Sequence, residues 1–503
     1  MSNIRRQSII SSVIIYFGFA LGILNTYLFV KEGGFTKEQY GLTGTFIALG
    51  QIMLSIAALG MPSFLYKFHP YYKDNLPINK NEQLTLALFV SCIGFLAVLA
   101  GGFVFKGLIN KVYANSPDII KYYYWIFPFG FGLTIFSILE AYGWSIHKSV
   151  VTNFLKEVLF RFLVTLLFTL TVVGIITSFD GFIKLYAFTY LFIALIFLAY
   201  LLGTGKVRLV FSLSRVTKKF RKKIIALMTF VWSGGLIYTM ASVFDTIVLT
   251  AVMPNGLAVA AIFTLAQNIC SLIQAPQRGI ISASVGPLSQ AWKNKDFSKI
   301  KRIYQRSSIN QLIFAAGMFC LIWLNFFDGI VTFGLQQDYA YAFQVFILLG
   351  LVRIIDMGTG VNAQIIGTST YWRFEFKAGL ILLALALPLN YFLTKEMGLM
   401  GPPVSNLIAF TVYNFIRFLF LWRKFNMQPF TVKSLYTILL AGLCFIICWF
   451  LFNDKKGIQW IALRSGLFML LYGSGSVYLE LSPDLKAVLQ TLKKKTGLTG
   501  KND

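Results

Sequence analysis

Charged side chains inside the long apolar runs of this 503-residue sequence are the residues best suited to chemistry. The candidates among them are Arg161, Arg353, Arg417, Arg464, Asp245 and Asp356. A charge at the centre of a bilayer costs at least about 2.5–3.5 kcal/mol on insertion scales, so each needs a partner or a polar cavity. A buried guanidinium can meet an anionic substrate, and a buried carboxylate can pair with a cation or exchange protons.

Arg353 and Asp356 lie near the middle of one apolar run. Their i,i+3 spacing places them at neighbouring positions on one face of a helix. Two interpretations stay open. In the first, the two charges neutralise each other and face the protein interior. In the second, Arg353 lines a cavity and contacts an anionic substrate, while Asp356 holds the arginine side chain in place.

The other buried charges have simpler local surroundings. Asp245 has no cation within a helical turn, so it either pairs with another helix or acts as an ion-coupling site. Arg161 follows Glu157 by one turn, which predicts a local ion pair beside a role in substrate binding. Arg464 has no such neighbour and is a further candidate for substrate binding. Arg417 lies near the end of its run, where its side chain is expected to reach water.

Amide side chains add a polar stripe to the run at 257–280. Its members, Gln267, Asn268 and Gln274, either line a substrate cavity or hydrogen-bond to neighbouring helices. Small residues are also frequent in the first run, including Gly18, Gly22 and Asn25. Such residues let helices approach closely or bend.

The sequence lacks the catalytic motifs that are typical of enzymes. It contains no nucleotide-binding glycine loop, no cluster of metal-ligand spacing and no nucleophile elbow, and its two histidines, His69 and His147, are far apart. We therefore expect no catalytic residues, no metal and no cofactor. Transport against a concentration gradient would draw its energy from a proton or sodium gradient, or from flux through a pathway. A membrane-embedded transferase or polymerase is disfavoured because the loops are short, and a scaffolding role remains open as a second role.

The elements that position these residues are about fourteen apolar runs, each near the roughly 20 residues that a helix needs to cross hydrocarbon. They lie near 8–30, 40–65, 83–107, 119–143, 154–177, 183–204, 224–252, 257–280, 309–333, 340–367, 375–394, 401–422, 434–453 and 458–480. The sequence thus predicts an all-α integral membrane protein.

Cations between the runs predict which side of the membrane each loop faces. Alternate gaps hold 32 of the 45 lysines and arginines, and the intervening gaps hold nine. The cation-rich set marks the cytoplasmic side, so both termini are expected there, as an even number of crossings requires. We read the net charge of +26 as this topology signal, with attraction to membrane lipids and without nucleic-acid binding.

The cation-rich loop at 205–223 follows the sixth run and divides the chain. It predicts an N-terminal lobe at 1–210, a C-terminal lobe at 224–424, a terminal helix pair at 434–480 and a basic cytoplasmic tail at 481–503. Six-plus-six arrangements often bind substrate where the two halves meet. We therefore expect two six-helix lobes around a central cavity.

In this layout the chain resembles the polysaccharide-lipid flippases of the multidrug/oligosaccharidyl-lipid/polysaccharide exporter superfamily. The segment from Ile4 to Ile10 resembles the start of the first helix in that branch, and Gly60 to Phe68 resembles the end of its second helix. Gln274-Ala275-Pro276 and Asp245 also occupy similar positions. The additional helix pair favours the oligosaccharide and lipid II branches over drug pumps, which typically have twelve helices.

The resemblance implies a bacterial inner-membrane flippase that moves an undecaprenyl-diphosphate-linked oligosaccharide to the periplasmic leaflet by alternating access. The diphosphate would be met by Arg353, Arg161 and Arg464, because a guanidinium donates two parallel hydrogen bonds. Expected partners are a polysaccharide polymerase and glycosyltransferases. Lipid II flippases are expected to carry more arginines in the first lobe, which favours an O-antigen, capsule or exopolysaccharide unit here. A lipid II-type flippase and a cation-coupled multidrug exporter are the alternatives.

Overall fold

The computed structural model describes residues 3–146, 148–205, 207–453 and 455–484, and these ranges are helical almost throughout. The α-helices are α1 (Asn3–Val30), α2 (Lys37–Ala57), α3 (Met61–Asn75), α4 (Gln83–Val104), α5 (Lys106–Val112), α6 (Pro117–Lys121), α7 (Tyr123–Ser145), α8 (Ser149–Asn153), α9 (Phe160–Val172), α10 (Phe179–Ala187), α11 (Thr189–Gly203), α12 (Arg215–Val252), α13 (Gly256–Ile273), α14 (Ala275–Lys293), α15 (Phe297–Thr332), α16 (Ala342–Gly358), α17 (Asn362–Thr368), α18 (Trp372–Met397), α19 (Gly401–Phe425), α20 (Val432–Phe452) and α21 (Ile458–Tyr478). A π-helix (Phe154–Leu159) joins α8 to α9, and short 3₁₀ turns occupy Ile78–Lys80, Gln337–Tyr341 and Gly398–Met400.

The predicted all-α membrane fold is confirmed. Each of the fourteen apolar runs coincides with one helix or with two consecutive helices. By length and composition, ten helical segments of the described chain are suited to cross a membrane. Most of the predicted tail, from residue 485 onward, lies outside the described residues.

The second run is interrupted where the sequence reads Leu59-Gly60-Met61-Pro62. Both Leu59 and Gly60 adopt positive φ, at 46° and 74°. Pro62 then lies in the first turn of α3, where its missing N–H is not needed. A Cβ at Gly60 would lie 2.6 Å from the carbonyl oxygen of Met228, so only glycine lets α12 approach this closely.

By its contacts the chain forms two compact units, Met1–Ala261 and Ile262–Asp503. The seventh predicted crossing, α12, packs with the first unit, although the charge pattern placed it in a C-terminal lobe at 224–424. The indole of Trp232 donates to the carbonyl oxygens of Ser55 and Ile56, at 3.0 and 3.2 Å. The functional lobe boundaries and the central cavity remain predictions.

In the second unit, the long helix α15 packs against the terminal pair α20–α21 through an apolar cluster. Cys444 and Cys448 lie on one face of α20 and are buried in that cluster with Phe468 and Tyr472. The two thiols therefore serve apolar packing between α20 and its neighbours.

An ion pair joins α15 to α21 beside this cluster. Arg464 Nη2 donates to Asp328 Oδ2 at 2.8 Å, and both side chains are less than 10% exposed (8% and 5%). The same guanidinium donates to the carbonyl oxygens of Leu324 and Lys455, at 2.6 and 3.0 Å. Asp328 also accepts from the backbone N–H of Gly457 at 3.0 Å. Each terminal nitrogen of Arg464 thus has at least one protein acceptor, whereas its Nε is buried without one.

We expect Asp328→Asn to destabilise the second unit strongly. The substitution keeps the side-chain shape and leaves the Arg464 charge buried without its counter-charge. Breaking a buried pair from one side typically costs about 3–5 kcal/mol. The measurement is the thermal unfolding midpoint of purified protein in detergent.

Asp180→Asn is the matched control, because Asp180 pairs with Lys184 on the surface and both side chains are more than 40% exposed (44% and 41%). An exposed pair contributes about 0–1 kcal/mol, so this variant should unfold close to the wild type. Equal midpoints for the two variants would contradict a stabilising role for the Arg464–Asp328 pair.

Candidate functional site

A network of buried polar side chains lies at the end of α16 in the second unit. Asp356 Oδ2 accepts from Gln277 Nε2 of α14 at 2.8 Å, and Asp356 Oδ1 accepts from Asn414 Nδ2 of α19 at 3.3 Å. Both donors are neutral amides. Asp356 forms no ion pair within the described part of the chain.

Asn414 connects this carboxylate to the start of α17. Its Oδ1 atom accepts from Asn362 Nδ2 at 3.2 Å and lies 3.0 Å from the hydroxyl of Thr359. The side chains are almost fully buried, with exposures of 1% for Asn414, 2% for Asn362 and 5% for Thr359. Asn414 therefore joins α19 to α16 and α17, and Asp356 extends the network to Gln277 of α14.

Arg353 does not pair with Asp356, so the self-neutralising interpretation of this i,i+3 pair is wrong for this structure. Across the described residues Arg353 forms no ion pair and no side-chain hydrogen bond, and its Nε atom is buried without an acceptor. The guanidinium lies within electrostatic range of Cys270 on α13. Gln267 occupies the same face of α13 one turn earlier, because residues three apart are neighbours on a helix.

Arg417 corrects a second expectation, since it is buried rather than extended to water. It is 6% exposed and its Nε donates to Glu375 Oε2 of α18 at 3.0 Å. Its Nη2 contacts the second carboxylate oxygen of Glu375 and the hydroxyl of Tyr413, and its Cζ lies 3.6 Å from the centroid of the Tyr413 ring. This two-pronged pair fixes α19 against α18, one turn beyond Asn414.

Arg161 forms the local ion pair that its spacing predicted. Its Nη1 lies 2.5 Å from Glu157 Oε2 and donates to the Glu157 carbonyl oxygen at 3.0 Å. Glycines of α1 make room for this pair, because a Cβ at Gly18 would lie 2.9 Å from Arg161 Nη1 and one at Gly22 would lie 2.9 Å from Nε. Asn25 Nδ2 then donates to the Arg161 carbonyl oxygen at 2.9 Å. The small residues of the first run thus serve close packing.

The remaining candidates are less closely connected. Asn268 is exposed, whereas Gln267 and Gln274 are half-buried. Gln274 precedes α14, and its carbonyl oxygen accepts from the backbone N–H of Gln277 at 3.0 Å. Asp245 is buried at 5% exposure and has an interaction partner. The roles of all these residues in substrate binding or ion coupling remain predictions.

Sequence reasoning missed Gln277 and Asn414, which complete the site, and Glu375 and Asp328, which pair with Arg417 and Arg464. The available signal was weak but present. Asn414 and Arg417 stand three residues apart in one apolar run, and a polar residue inside such a run needs a partner. Which helix supplies that partner depends on packing.

No protein-family model matches the sequence, and a comparison with curated proteins finds no match. Solved structures do match. The lipid II flippase MurJ in an inward closed conformation is similar with a TM-score of 0.74 and 16% identity, over 94% of this chain and 99% of that one. The chain has the fold of a membrane flippase.

Transporters of the MATE family share this fold too. An inward-facing MATE transporter of the MOP superfamily matches with a TM-score of 0.63 and 15% identity, over 80% of this chain and 93% of that one. A MATE structure in complex with MaL6 matches with a TM-score of 0.56 and 13% identity, over 82% and 94% of the two chains. The comparisons therefore show that the chain shares the fold of these solved MurJ and MATE structures.

The arrangement can bind an anion and can hold a carboxylate in place. Arg353 offers a guanidinium with no acceptor in the described chain, and the amides of Gln277 and Asn414 hold Asp356 away from it. An unsatisfied guanidinium in a low-dielectric setting favours any phosphate or carboxylate that reaches it.

We expect Asn414→Leu to lower the thermal unfolding midpoint, because it leaves Asp356, Thr359 and Asn362 without a shared partner. An unsatisfied buried polar group costs about 1–3 kcal/mol. Gln344→Leu on α16 is the control, since Gln344 is exposed and makes no side-chain hydrogen bond within the described residues. An unfolding midpoint for Asn414→Leu equal to that of the control would show that the network contributes no stability.

Proposed function

We propose that this protein flips an undecaprenyl-diphosphate-linked oligosaccharide from the cytoplasmic to the periplasmic leaflet of a bacterial inner membrane. Alternating access of two lobes would expose the substrate site to each side in turn. The observation that carries the proposal is Arg353, a guanidinium within an apolar helix that has no carboxylate partner in the described chain. The fold, shared with a lipid II flippase, is consistent with this function.

The chemistry of the cargo fits an unpaired guanidinium. Each phosphate of a diphosphate can accept two parallel hydrogen bonds from one arginine, and each such charge-assisted bond is stronger than a neutral one. Arg161 and Arg464 are weaker candidates in this conformation, because Glu157 and Asp328 already accept from them. They could contribute only if those pairs open during transport.

Lipid II is a second candidate cargo, and the similarity to MurJ over 94% of the chain favours it. Against it stands the first unit, in which Arg161 is the one arginine inside an apolar run and is already paired. We therefore favour an oligosaccharide unit of O-antigen, capsule or exopolysaccharide, with a polymerase and glycosyltransferases as the expected partners.

Cation-coupled drug export is the third candidate, since MATE transporters share the fold. A lipophilic cation requires an accessible carboxylate. Asp356 is held by two amides, and Asp245 is buried with a partner. We keep Asp245 and Asp356 as proposed sites of proton or sodium coupling rather than of drug binding.

We expect Arg353→Ala to reduce flipping of a prenyl-diphosphate oligosaccharide in proteoliposomes by at least about tenfold. A hydrogen bond to a charged group is worth about 1.5–3 kcal/mol, and 1.4 kcal/mol corresponds to a factor of ten. Arg353→Lys should retain part of the activity, because it keeps the charge and loses the planar fork. The measurement is the accessibility of the headgroup to an external probe over time.

Arg423→Ala is the matched control, since Arg423 is exposed at the end of α19 and has no ion pair in the described residues. Parallel assays with lipid II and with a lipophilic cation separate the three candidate cargoes. Wild-type flipping by an inserted, folded Arg353→Ala variant would remove this residue from the mechanism. Transport of the cation alone would replace the proposed function with drug export.

A further inference from the structure

A cavity of about 400 Å³ lies in the first unit, away from the residues discussed above. Its walls come from four parts of that unit: α3, the turn after it, the end of α7 with the residues that follow, and the loop after α11. The charge pattern of the sequence assigns all four to the cytoplasmic side. The cavity volume falls within the range of small-molecule sites, so it can hold a phosphate with an attached small polyol or sugar ring.

Three cations line the cavity without neutralisation. Lys73, Lys148 and Arg208 form no ion pair in the described part of the chain, and none of the described lining residues is acidic. Other cations of the described chain, such as Lys156 and Arg306, do pair with carboxylates. Three like charges brought to one concave surface repel each other, and an anion between them relieves that repulsion.

Of the carboxylates close in sequence, Asp74 beside Lys73 is exposed and forms no ion pair in the described part of the chain, and two others are already engaged. Glu140, two residues before Tyr142 of the cavity wall, lies 3.2 Å from Lys156 Nζ through each oxygen. Glu82, next to Asn81 of the wall, accepts from the backbone N–H of Ser214 at 2.8 Å and from the Thr217 hydroxyl at 2.5 Å. The cavity cations are therefore left for an external anion.

Lys148 is held in position by an aromatic side chain. Lys148 Nζ donates to the hydroxyl of Tyr200 at 3.1 Å and lies 5.6 Å from the centroid of its ring. A phenol positions an ammonium without removing its charge. The lysine is thus ordered in advance, which lowers the entropy cost of binding an anion.

Polar wall groups favour a ligand that also carries hydroxyls. Ser145 Oγ donates to the Ala141 carbonyl oxygen at 3.0 Å, and Thr204 Oγ1 donates to the Leu201 carbonyl oxygen at 2.7 Å. Because each hydroxyl already donates its hydrogen bond to a backbone carbonyl, its oxygen lone pairs can accept a hydrogen bond from an O–H group of a ligand. Both residues line the cavity.

The wall on the α3 side is rigid. Gln83 Nε2 donates to the Leu65 carbonyl oxygen at 3.2 Å, which leaves Gln83 Oε1 as an acceptor 3.0 Å from His69 Nδ1. His69 Nδ1 therefore carries a proton and donates it to this amide. The ring also packs edge-on against Tyr142, with centroids 5.8 Å apart.

We propose that this cavity binds the phosphate of a hydroxyl-bearing phosphate ester at the cytoplasmic surface of the membrane. Lys73, Lys148 and Arg208 would contact the phosphate, and Ser145 and Thr204 would accept from the hydroxyls. Two kinds of molecule carry a phosphate next to hydroxyl groups and could occupy the site. One is a glycosyl phosphate headgroup, and the other is the glycerophosphate headgroup of an anionic phospholipid. The site is separate from Arg353 and does not depend on the proposed cargo.

The test uses the full chain in nanodiscs of zwitterionic lipid, with glucose 1-phosphate as the titrated probe and calorimetry as the readout. The double variant Lys148→Gln/Arg208→Gln should weaken binding at least tenfold. Lys218→Gln/Lys222→Gln removes the same charge from exposed positions of α12 and should change affinity less than twofold. Tyr200→Phe, a mild change, should weaken binding several-fold by releasing Lys148.

Phosphatidylglycerol in the nanodiscs separates the two sources. Retention of this lipid by the wild type and its loss in the Lys148/Arg208 double variant, read by native mass spectrometry, would assign the site to the phospholipid headgroup. Glucose 1-phosphate binding that persists in these nanodiscs would assign the site to the glycosyl phosphate.

Three results would overturn the proposal. The first is an equal loss of affinity in both double variants, which would indicate general surface charge. The second is the absence of binding by the wild type to either ligand. The third is a loss of glucose 1-phosphate binding in Arg353→Ala, which would assign the measured binding to the Arg353 site. Failure of flipping with intact glucose 1-phosphate binding would affect only the proposed transport function.

Discussion

The cost of placing a charge in hydrocarbon governs the arrangement of this protein. Three arginines inside apolar runs each meet a carboxylate: the pairs are Arg161–Glu157, Arg417–Glu375 and Arg464–Asp328. Each pair also fixes one helix against another or closes a local turn. Buried ion pairs add little to the stability of the folded state compared with apolar side chains of similar size. Removing one member leaves an uncompensated buried charge at a cost of about 3–5 kcal/mol, so the pairs favour one packing of the helices.

Arg353 departs from that rule within the described chain, and its neighbour Asp356 is held by amides instead. Separating two opposite charges that lie one turn apart has a cost. The separation is understandable where the guanidinium serves an anion that arrives from outside. The same reasoning applies to Lys73, Lys148 and Arg208 at the predicted cytoplasmic surface, although water makes their exposure cheaper there.

Irregular backbone lies close to several of these groups. The π-helix Phe154–Leu159 contains Glu157, the partner of Arg161, and Gly360, at a φ of 63°, lies between Thr359 and the start of α17. Breaks in the helical hydrogen-bond pattern free backbone groups and re-aim side chains, which is why they recur at functional sites of membrane proteins. Here they lie where polar residues of neighbouring helices come together.

The sequence alone determined where the apolar helical segments lie, because hydrocarbon thickness fixes the length of each apolar run, but not where Leu59-Gly60 and other breaks divide a run into two helices. It also determined contacts within one helix, such as Arg161–Glu157, because helical spacing fixes which residues are neighbours. Remote partners were decided by the tertiary structure. Arg464 pairs with Asp328 across 136 residues and Asp356 meets Asn414 across 58, since only packing decides which helix faces come together.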